Sequence, residues 1–207
     1  PAKSLIAESF VKFSREVSII AVRGQDGDVK TWALAENHHH NGILSHSIVP
    51  APNSTDLQPV AQDYITRLLN HLNYVGVLTL ELFVTEQGLY ANEMACRVHN
   101  SGHWSIEGAI CSQFENHIRA VAGLPLGATD VVRPTVMINI IGQHPKSEDV
   151  LALKGAHLHL YNKSERAGRK LGHITLMPNN SDELTVLCRQ LAQILPVPLA
   201  LTTDMNL

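Results

Sequence analysis

The segment 75–95 constrains this chain most, because it predicts a β-hairpin that carries two carboxylates. Residues 75–84 (VGVLTLELFV) are rich in β-branched and aromatic side chains, which favour a strand. Residues 86–88 (EQG) predict a three-residue turn with glycine at the position of positive φ. The chain then returns as a second strand over residues 89–95.

This turn pairs Thr85 with Leu89 and therefore sets Glu81 directly against Glu93. Opposed side chains have Cβ atoms roughly 4.5–5.5 Å apart, and like charges there are destabilising. Such a pair shares a proton or holds a cation, and magnesium takes carboxylate oxygens, water and phosphates. The alternative is that one glutamate sits at a bulge and both are solvated. Spacing alone leaves both interpretations open.

The loop after the hairpin indicates an oxyanion site. It contains Arg97, His99 and Asn100 within four residues, and it has neither helical nor strand periodicity. An arginine guanidinium is a planar fork of donors that suits a carboxylate-like or phosphate oxyanion. A lone loop arginine is usually a surface charge, but this group follows directly on the carboxylate pair.

Composition places the chain among globular proteins of one domain or a domain and a half. It has 207 residues, 44% hydrophobic and 17% charged. The net charge of −3 argues against a nucleic-acid partner, and no apolar run reaches the ~20 residues of a membrane span. Three widely spaced cysteines without a signal peptide indicate a reducing cytosol. Pro1 in place of methionine suggests a fragment.

The pattern along the chain predicts an α+β fold, with an antiparallel sheet and helices on one face. Strands are expected at 16–23, 29–34 and 43–49, with amphipathic helices at 57–72 and 105–122. Residues 127–130 resemble a linker between domains 1–130 and 131–207. Beyond the linker we expect a separate small sheet, with strands at 135–141, 156–161 and 171–177, and a last helix at 181–195.

The sequence contains two further polar clusters, a cationic turn and a histidine tract. The turn 161–173 carries four cations within eight residues, which is typical of a phosphate site and equally of a solvated loop; they are Lys163, Arg166, Arg169 and Lys170. The tract His38–His40 resembles a metal site, but it is weak as a zinc site because consecutive strand residues alternate faces.

Six stretches resemble the 5-(carboxyamino)imidazole ribonucleotide synthetase family of ATP-grasp enzymes. They are 8–18 (ESFVKFSREVS), 36–44 (ENHHHNGIL), 75–83 (VGVLTLELF), 92–104 (NEMACRVHNSGHW), 136–142 (VMINIIG) and 168–173 (GRKLGH). The VHNSGH and GRKLGH strings at this separation are specific to that family. Cys96 and Ala167 stand where the family usually has proline, which loosens the two loops without removing a ligand.

The resemblance implies an ATP-grasp large subdomain followed by a small C-terminal β-rich domain. It implies a cytoplasmic, homodimeric ligase of purine biosynthesis that uses ATP and Mg²⁺, with no nucleic-acid or membrane partner. The implied reaction carboxylates 5-aminoimidazole ribonucleotide with bicarbonate through carboxyphosphate.

The same resemblance implies a role for each matching residue. The metal ligands are Glu81 and Glu93; the bicarbonate or carboxyphosphate ligands are Arg97, His99 and Asn100; the nucleotide side is Glu8, Val11, Glu16, His39, Asn92 and Glu93; and the ligands of the ribotide 5′-phosphate are Lys163, Arg169 and Lys170.

The family also has an N-terminal domain and a lid with phosphate-contacting lysines, and neither matches any part of these residues. We therefore expect the C-terminal part of such an enzyme, folded but inactive alone. One alternative is a non-catalytic module that binds nucleotide or forms a dimer interface. Another is a related ATP-grasp ribotide ligase, such as a formate-dependent transformylase, although the VHNSGHW string favours the bicarbonate enzyme.

Overall fold

An antiparallel sheet forms the centre of the fold in the computed structural model, which describes residues 5, 6 and 8–196. Its strands are Arg15–Arg23 (β1), Val29–Thr31 (β2), Ala35–His40 (β3), Ile43–Val49 (β4), Gly76–Thr85 (β5), Gly88–Ala95 (β6), Thr135–Ile141 (β7), Ala156–Leu160 (β8) and Lys170–Leu176 (β9). The α-helices are Leu57–His71 (α1), Ser105–Gly108 (α2), Gln113–Val121 (α3), Ser147–Leu151 (α4) and Ser181–Ile194 (α5), with a 3₁₀ helix at Asn100–Gly102.

The sheet is continuous across the predicted linker. Within the described residues its order is β6-β5-β1-β3-β4-β7-β9-β8, with β2 paired to β1 at the side. Ser47 on β4 lies opposite Met137 on β7, so the prediction of a separate small sheet is wrong. Both strands are buried along almost their whole length, as strands inside a covered sheet are. The domain limit at 130 stays a prediction.

The sequence pattern did not predict strand β3. The predicted strand 29–34 ends at Thr31, and Ala35–His40 forms β3 instead. This segment is polar and has little intrinsic preference for a strand. It becomes one because β1 and β4 lie on its two sides and pair with its backbone.

The predicted helix 105–122 is also wrong, because it is interrupted. Ala109 is extended, with φ −120° and ψ 157°, and it bridges to Val131. A new helix starts after Ser112, whose hydroxyl accepts a hydrogen bond from the Glu115 amide. Among the described residues, no helix is both long and apolar enough to cross a membrane.

The helices cover both faces of the sheet, not one as predicted, while the α+β class is confirmed. One core packs Ala61, Ile65 and Leu69 of α1 against odd-numbered residues of β1, such as Ile19. A second core packs Trp104 and Ala120 with the even-numbered Ile20 and Val22. Because strand side chains alternate, α1 and α3 lie on opposite faces. Helix α5 covers β7 and β9.

Candidate active site

The hairpin does place Glu81 opposite Glu93, but by a different register from the one predicted. The turn has two residues, so Thr85 pairs with Gly88 (φ +120°) and Val84 pairs with Leu89. Continued regularly, this pairing would put Asn92 opposite Glu81. A bulge between Glu81 and Leu82 leaves Asn92 of β6 unpaired, shifts the register by one residue and brings Glu93 there instead.

Glu81 lies in surroundings that disfavour its charge. Its side chain is 13% exposed, and burial raises the pKa of this carboxyl to about 7, with the Glu93 and Glu16 carboxylates adding to the effect. Lys170 and Arg97 oppose this rise without cancelling it. A carboxylate held this way gains from a cation between it and Glu93.

His99 faces Glu81 from the loop that follows the hairpin. Its Nε2 lies 3.3 Å from a Glu81 carboxylate oxygen, and its Nδ1 lies 2.8 Å from the Ser101 hydroxyl. Burial lowers the pKa of His99 to about 4, and the neighbouring Arg97 and Lys170 lower it further, so the ring is neutral at pH 7. Ligand atoms of Glu81, Glu93 and His99 all lie within 4.8 Å of one another.

Three buried residues that the sequence analysis missed hold His99 in place. The Gln113 side chain accepts from the His99 amide at 2.9 Å and donates to the His99 carbonyl at 2.7 Å. The Ser18 hydroxyl donates to the Ser101 hydroxyl at 2.8 Å. Ser18 lies inside the apolar run of β1, and a buried hydroxyl needs a hydrogen-bond partner. The sequence could therefore have indicated that Ser18 contacts another polar group.

Asn100 connects the loop to the far half of the sheet. Its amide exchanges two hydrogen bonds with Asn139 of β7, at 2.9 and 2.7 Å. Asn139 also donates to the Leu44 carbonyl. Most of the hydrogen-bonding capacity of Asn100 is therefore used within the protein, which limits what its side chain can offer a ligand.

The basic turn before β9 supplies three cations. Lys163 lies over the Tyr161 ring, with Nζ 5.3 Å from its centroid, and Arg169 donates to the Ser164 hydroxyl at 2.9 Å. Burial lowers the pKa of Lys170, while Glu81 raises it. Gly168 takes the left-handed conformation that the turn requires (φ +72°).

These groups line one cleft of about 530 Å³. Nine of the predicted site residues border it, namely His39, Glu81, Glu93, Arg97, His99, Asn100, Lys163, Arg169 and Lys170. They come from both halves of the chain. The cleft thus combines an acidic pair, a neutral imidazole and four cationic side chains, an arrangement suited to anions held through a metal ion.

The remaining predicted residues lie outside the cleft lining. A carboxylate oxygen of Glu16 lies 2.7 Å from the ring Nδ1 of His39. Because His39 borders the cleft, Glu16 adjoins it. Glu8 and Asn92 are exposed, and Val11 is half-buried. The tract 38–40 does not converge on one point, because His38 stacks on His46 while His40 is exposed.

Comparison with known proteins finds two family models along this chain. The model of the ATP-grasp domain matches residues 1–114, and that of the phosphoribosylaminoimidazole carboxylase C-terminal domain matches residues 135–186. The N5-carboxyaminoimidazole ribonucleotide synthase of Vibrio vulnificus (strain YJ016) is 50% identical over 195 residues, covering 94% of this chain and 51% of that protein.

Solved structures give the same result. The N5-carboxyaminoimidazole ribonucleotide synthetase of Thermus thermophilus superposes with a TM-score of 0.89 at 50% identity, covering 92% of this chain and 53% of that one. An Aspergillus clavatus synthase in complex with ADP and 5-aminoimidazole ribonucleotide gives 0.82 at 31% identity, covering 90% and 52%.

The chain spans about half the length of the curated relatives it matches. The division between the two family models falls between residues 114 and 135, near the predicted linker. The ATP-grasp model matches more than half of the residues of this chain, and the chain therefore belongs to the ATP-grasp family.

Proposed function

We propose that this chain provides the metal, bicarbonate and ribotide-phosphate sites of an ATP-dependent ligase that carboxylates 5-aminoimidazole ribonucleotide to the N5-carboxyamino product. The observation that carries the proposal is the single cleft that gathers the carboxylate pair, the Arg97–His99 loop and the basic turn. The relatives bearing the synthase name, and the ADP and ribotide of the Aspergillus structure, support this choice of substrates.

The carboxylate pair fits a magnesium ion. Glu81 and Glu93 face each other from adjacent strands, and burial together with the Glu93 charge disfavours an ionised Glu81 in the absence of a cation. Magnesium held by these two residues would neutralise negative charge on the ATP phosphates. No other residue of the cleft lining brings a carboxylate.

Bicarbonate is assigned to Arg97 and His99, with Asn100 in a minor part. Arg97 is exposed, and among the described residues its guanidinium donates one hydrogen bond, to the adjacent Val98 carbonyl, which leaves further N–H groups for a bound oxyanion. His99 is neutral and held rigidly. The side chain of Asn100 is largely hydrogen-bonded to Asn139. We therefore propose that Asn100 also positions the loop.

The ribotide 5′-phosphate is assigned to Lys163, Arg169 and Lys170. They lie on one turn that borders the cleft, and burial already disfavours the charge of Lys170, so a phosphate beside it is favoured. The nucleotide side comprises His39 and Glu16, which contact each other, together with Glu8, Val11, Asn92 and Glu93.

The chain is proposed to act as part of a cytoplasmic homodimeric enzyme, and it is expected to be inactive alone. ATP-grasp catalysis excludes water by closing a lid over the phosphates, and no described residue forms such a lid. The rival interpretation, a non-catalytic module, predicts the same fold without specific ribotide binding. Ribotide binding by the chain therefore discriminates between them.

Magnesium binding gives the first test. In an NMR titration with MgCl₂, Glu93→Gln should weaken binding by about tenfold or more, because one of two anionic ligands is lost. Glu86→Gln is the matched control, since Glu86 is exposed in the turn of the same hairpin. Equal magnesium affinity in both variants would contradict the metal assignment.

A further inference from the structure

We propose that Glu165 is a positioning residue of the ribotide-phosphate site, because it tethers the basic turn between β8 and β9 to the loop that follows β7. The inference rests on the proposed function, which assigns the 5′-phosphate to Lys163, Arg169 and Lys170. It adds the group that orders this turn before a phosphate binds.

Glu165 is the one acidic residue in the cationic stretch 161–173. A carboxylate in such a stretch competes with a phosphate group for the same lysine and arginine side chains. In the structure its Oε1 instead accepts a hydrogen bond from the His144 backbone amide at 2.8 Å and lies 3.3 Å from the ring Nδ1 of His144. Among the described residues, no lysine or arginine forms an ion pair with it. The carboxylate is therefore bound to the neighbouring loop and not to the cations of its own turn.

The loop 142–144 also contacts the turn through its backbone. The Gly142 amide donates to the Arg169 carbonyl at 2.8 Å. Gly142 takes the left-handed conformation (φ +81°), and a Cβ atom there would lie 3.9 Å from the Ala167 Cα. Glu165 and Arg169 are thus bound to the same loop, the first by its side chain and the second by its backbone.

The tether reaches the Arg169 guanidinium through Ser164. Arg169 Nη1 donates to the Ser164 hydroxyl at 2.9 Å and to the Ser164 carbonyl at 3.2 Å, and Ser164 directly precedes Glu165. The Glu165 side chain is half exposed, so its hydrogen bonds and not burial determine where this segment lies. Without them, Ser164 and the guanidinium would be less ordered. Groups that are ordered before binding lose less conformational entropy on binding, so the tether favours a bound phosphate.

Two effects of Glu165 on phosphate affinity have opposite signs. Its negative charge repels a phosphate, and removing that charge alone should tighten binding by about threefold at most, because the group is exposed to solvent. Its tether orders the turn, and removing the tether should weaken binding. Glutamine lacks the charge, but its side-chain oxygen can still accept from the His144 amide, whereas alanine lacks both. The two substitutions therefore separate the effects.

Titration of ribose 5-phosphate into the ¹⁵N-labelled chain, followed by amide chemical shifts, measures the affinity. Glu165→Ala should weaken binding by about fivefold or more, because side chains that were ordered must now be ordered on binding. Glu165→Gln should bind as tightly as the wild type, or up to about threefold more tightly. Glu86→Ala is the matched control, since it removes the same charge from the exposed turn of the β5–β6 hairpin, and it should change the affinity by less than about twofold.

Backbone ¹⁵N relaxation of the ligand-free variants is a second measurement that does not depend on binding. We expect the order parameters of residues 163–169 to fall in Glu165→Ala and to keep wild-type values in Glu165→Gln. Binding by Glu165→Ala that equals or exceeds that of the wild type, or unchanged order parameters, would overturn the inference. If Lys163→Ala still abolishes binding in that case, the proposed function stands. If the wild-type chain does not bind ribose 5-phosphate at millimolar concentration, both fail.

Discussion

Glu81 shows how a single residue in this cleft depends on its neighbours. A lone strand glutamate is usually solvated, but here burial is the largest cause of its raised pKa, followed by Glu93 and then Glu16. Since burial comes from the fold and the other two causes are charges, substitutions can separate them.

Glu93→Gln should lower the pKa of Glu81 from about 7 while leaving it above the ordinary 4.5, because burial remains. ¹³C NMR titration of the glutamate carboxyl in the metal-free chain measures this. Glu16→Gln serves as the comparison and should cause a smaller decrease. A Glu81 pKa that does not move in Glu93→Gln would mean that the two carboxylates do not interact.

At the level of elements, local pattern predicted the hairpin but not its register. Strand content around Glu81 was clear from the sequence, and glycine at a positive φ was expected at Gly88. A three-residue turn without a bulge, and a two-residue turn followed by a bulge, both fit this strand-turn-strand pattern, so the pattern could not choose between them. Two deviations cancelled, and Glu93 reached the predicted position.

The hydrogen-bond partners of His99 and Asn100 could not be predicted from the sequence. Gln113 reaches back to His99 across the break between α2 and α3, and Asn139 reaches Asn100 from β7. Neither contact follows from spacing, because the first depends on the break in the predicted helix and the second requires β7 to pair with β4. The cationic turn and the loop could be recognised individually, but their meeting in one cleft could not.

The contribution of the Gln113 side chain to stability can be tested by substitution. Gln113→Ala leaves the buried His99 amide without a partner, while the His99 carbonyl keeps the Gly102 amide, and it should reduce the free energy of unfolding by roughly 1–3 kcal/mol. Urea denaturation measures it. Gln25→Ala is the control, because Gln25 donates a single exposed hydrogen bond to Val121, and it should cost about 1 kcal/mol or less. Equal losses in the two variants would contradict a structural role for Gln113.

For the whole molecule, buried histidines make stability depend on pH. Burial, followed by His38, lowers the pKa of His46 to about 3, although Glu36 raises it. Burial, His103 and His159 lower that of His173 to about 3. Their folded-state values lie below the ordinary 6.5, so the unfolded chain binds more protons between about pH 3 and 6.5. Stability is therefore lost as pH falls through this window.

Lowering the pH from about 7 to about 5.5 should reduce the free energy of unfolding by up to roughly 1 kcal/mol per pH unit for each such histidine, and with it the urea midpoint. Glu81 acts in the opposite direction, since its raised pKa stabilises the fold on acidification, and it offsets about one histidine. His46→Gln should flatten the dependence, whereas the exposed His71→Gln should not. A midpoint that rises on acidification would contradict the assignment of neutral buried histidines.

NMR can show whether one cleft holds metal and ribotide together. 5-Aminoimidazole ribonucleotide is titrated into the ¹⁵N-labelled chain with magnesium present, and the perturbed backbone amides are mapped. We expect shifts concentrated at Arg97, His99, Lys163 and Lys170, which are lost in Lys163→Ala and retained in the exposed control Lys154→Ala. Shifts located elsewhere, or no binding at millimolar ribotide, would contradict it.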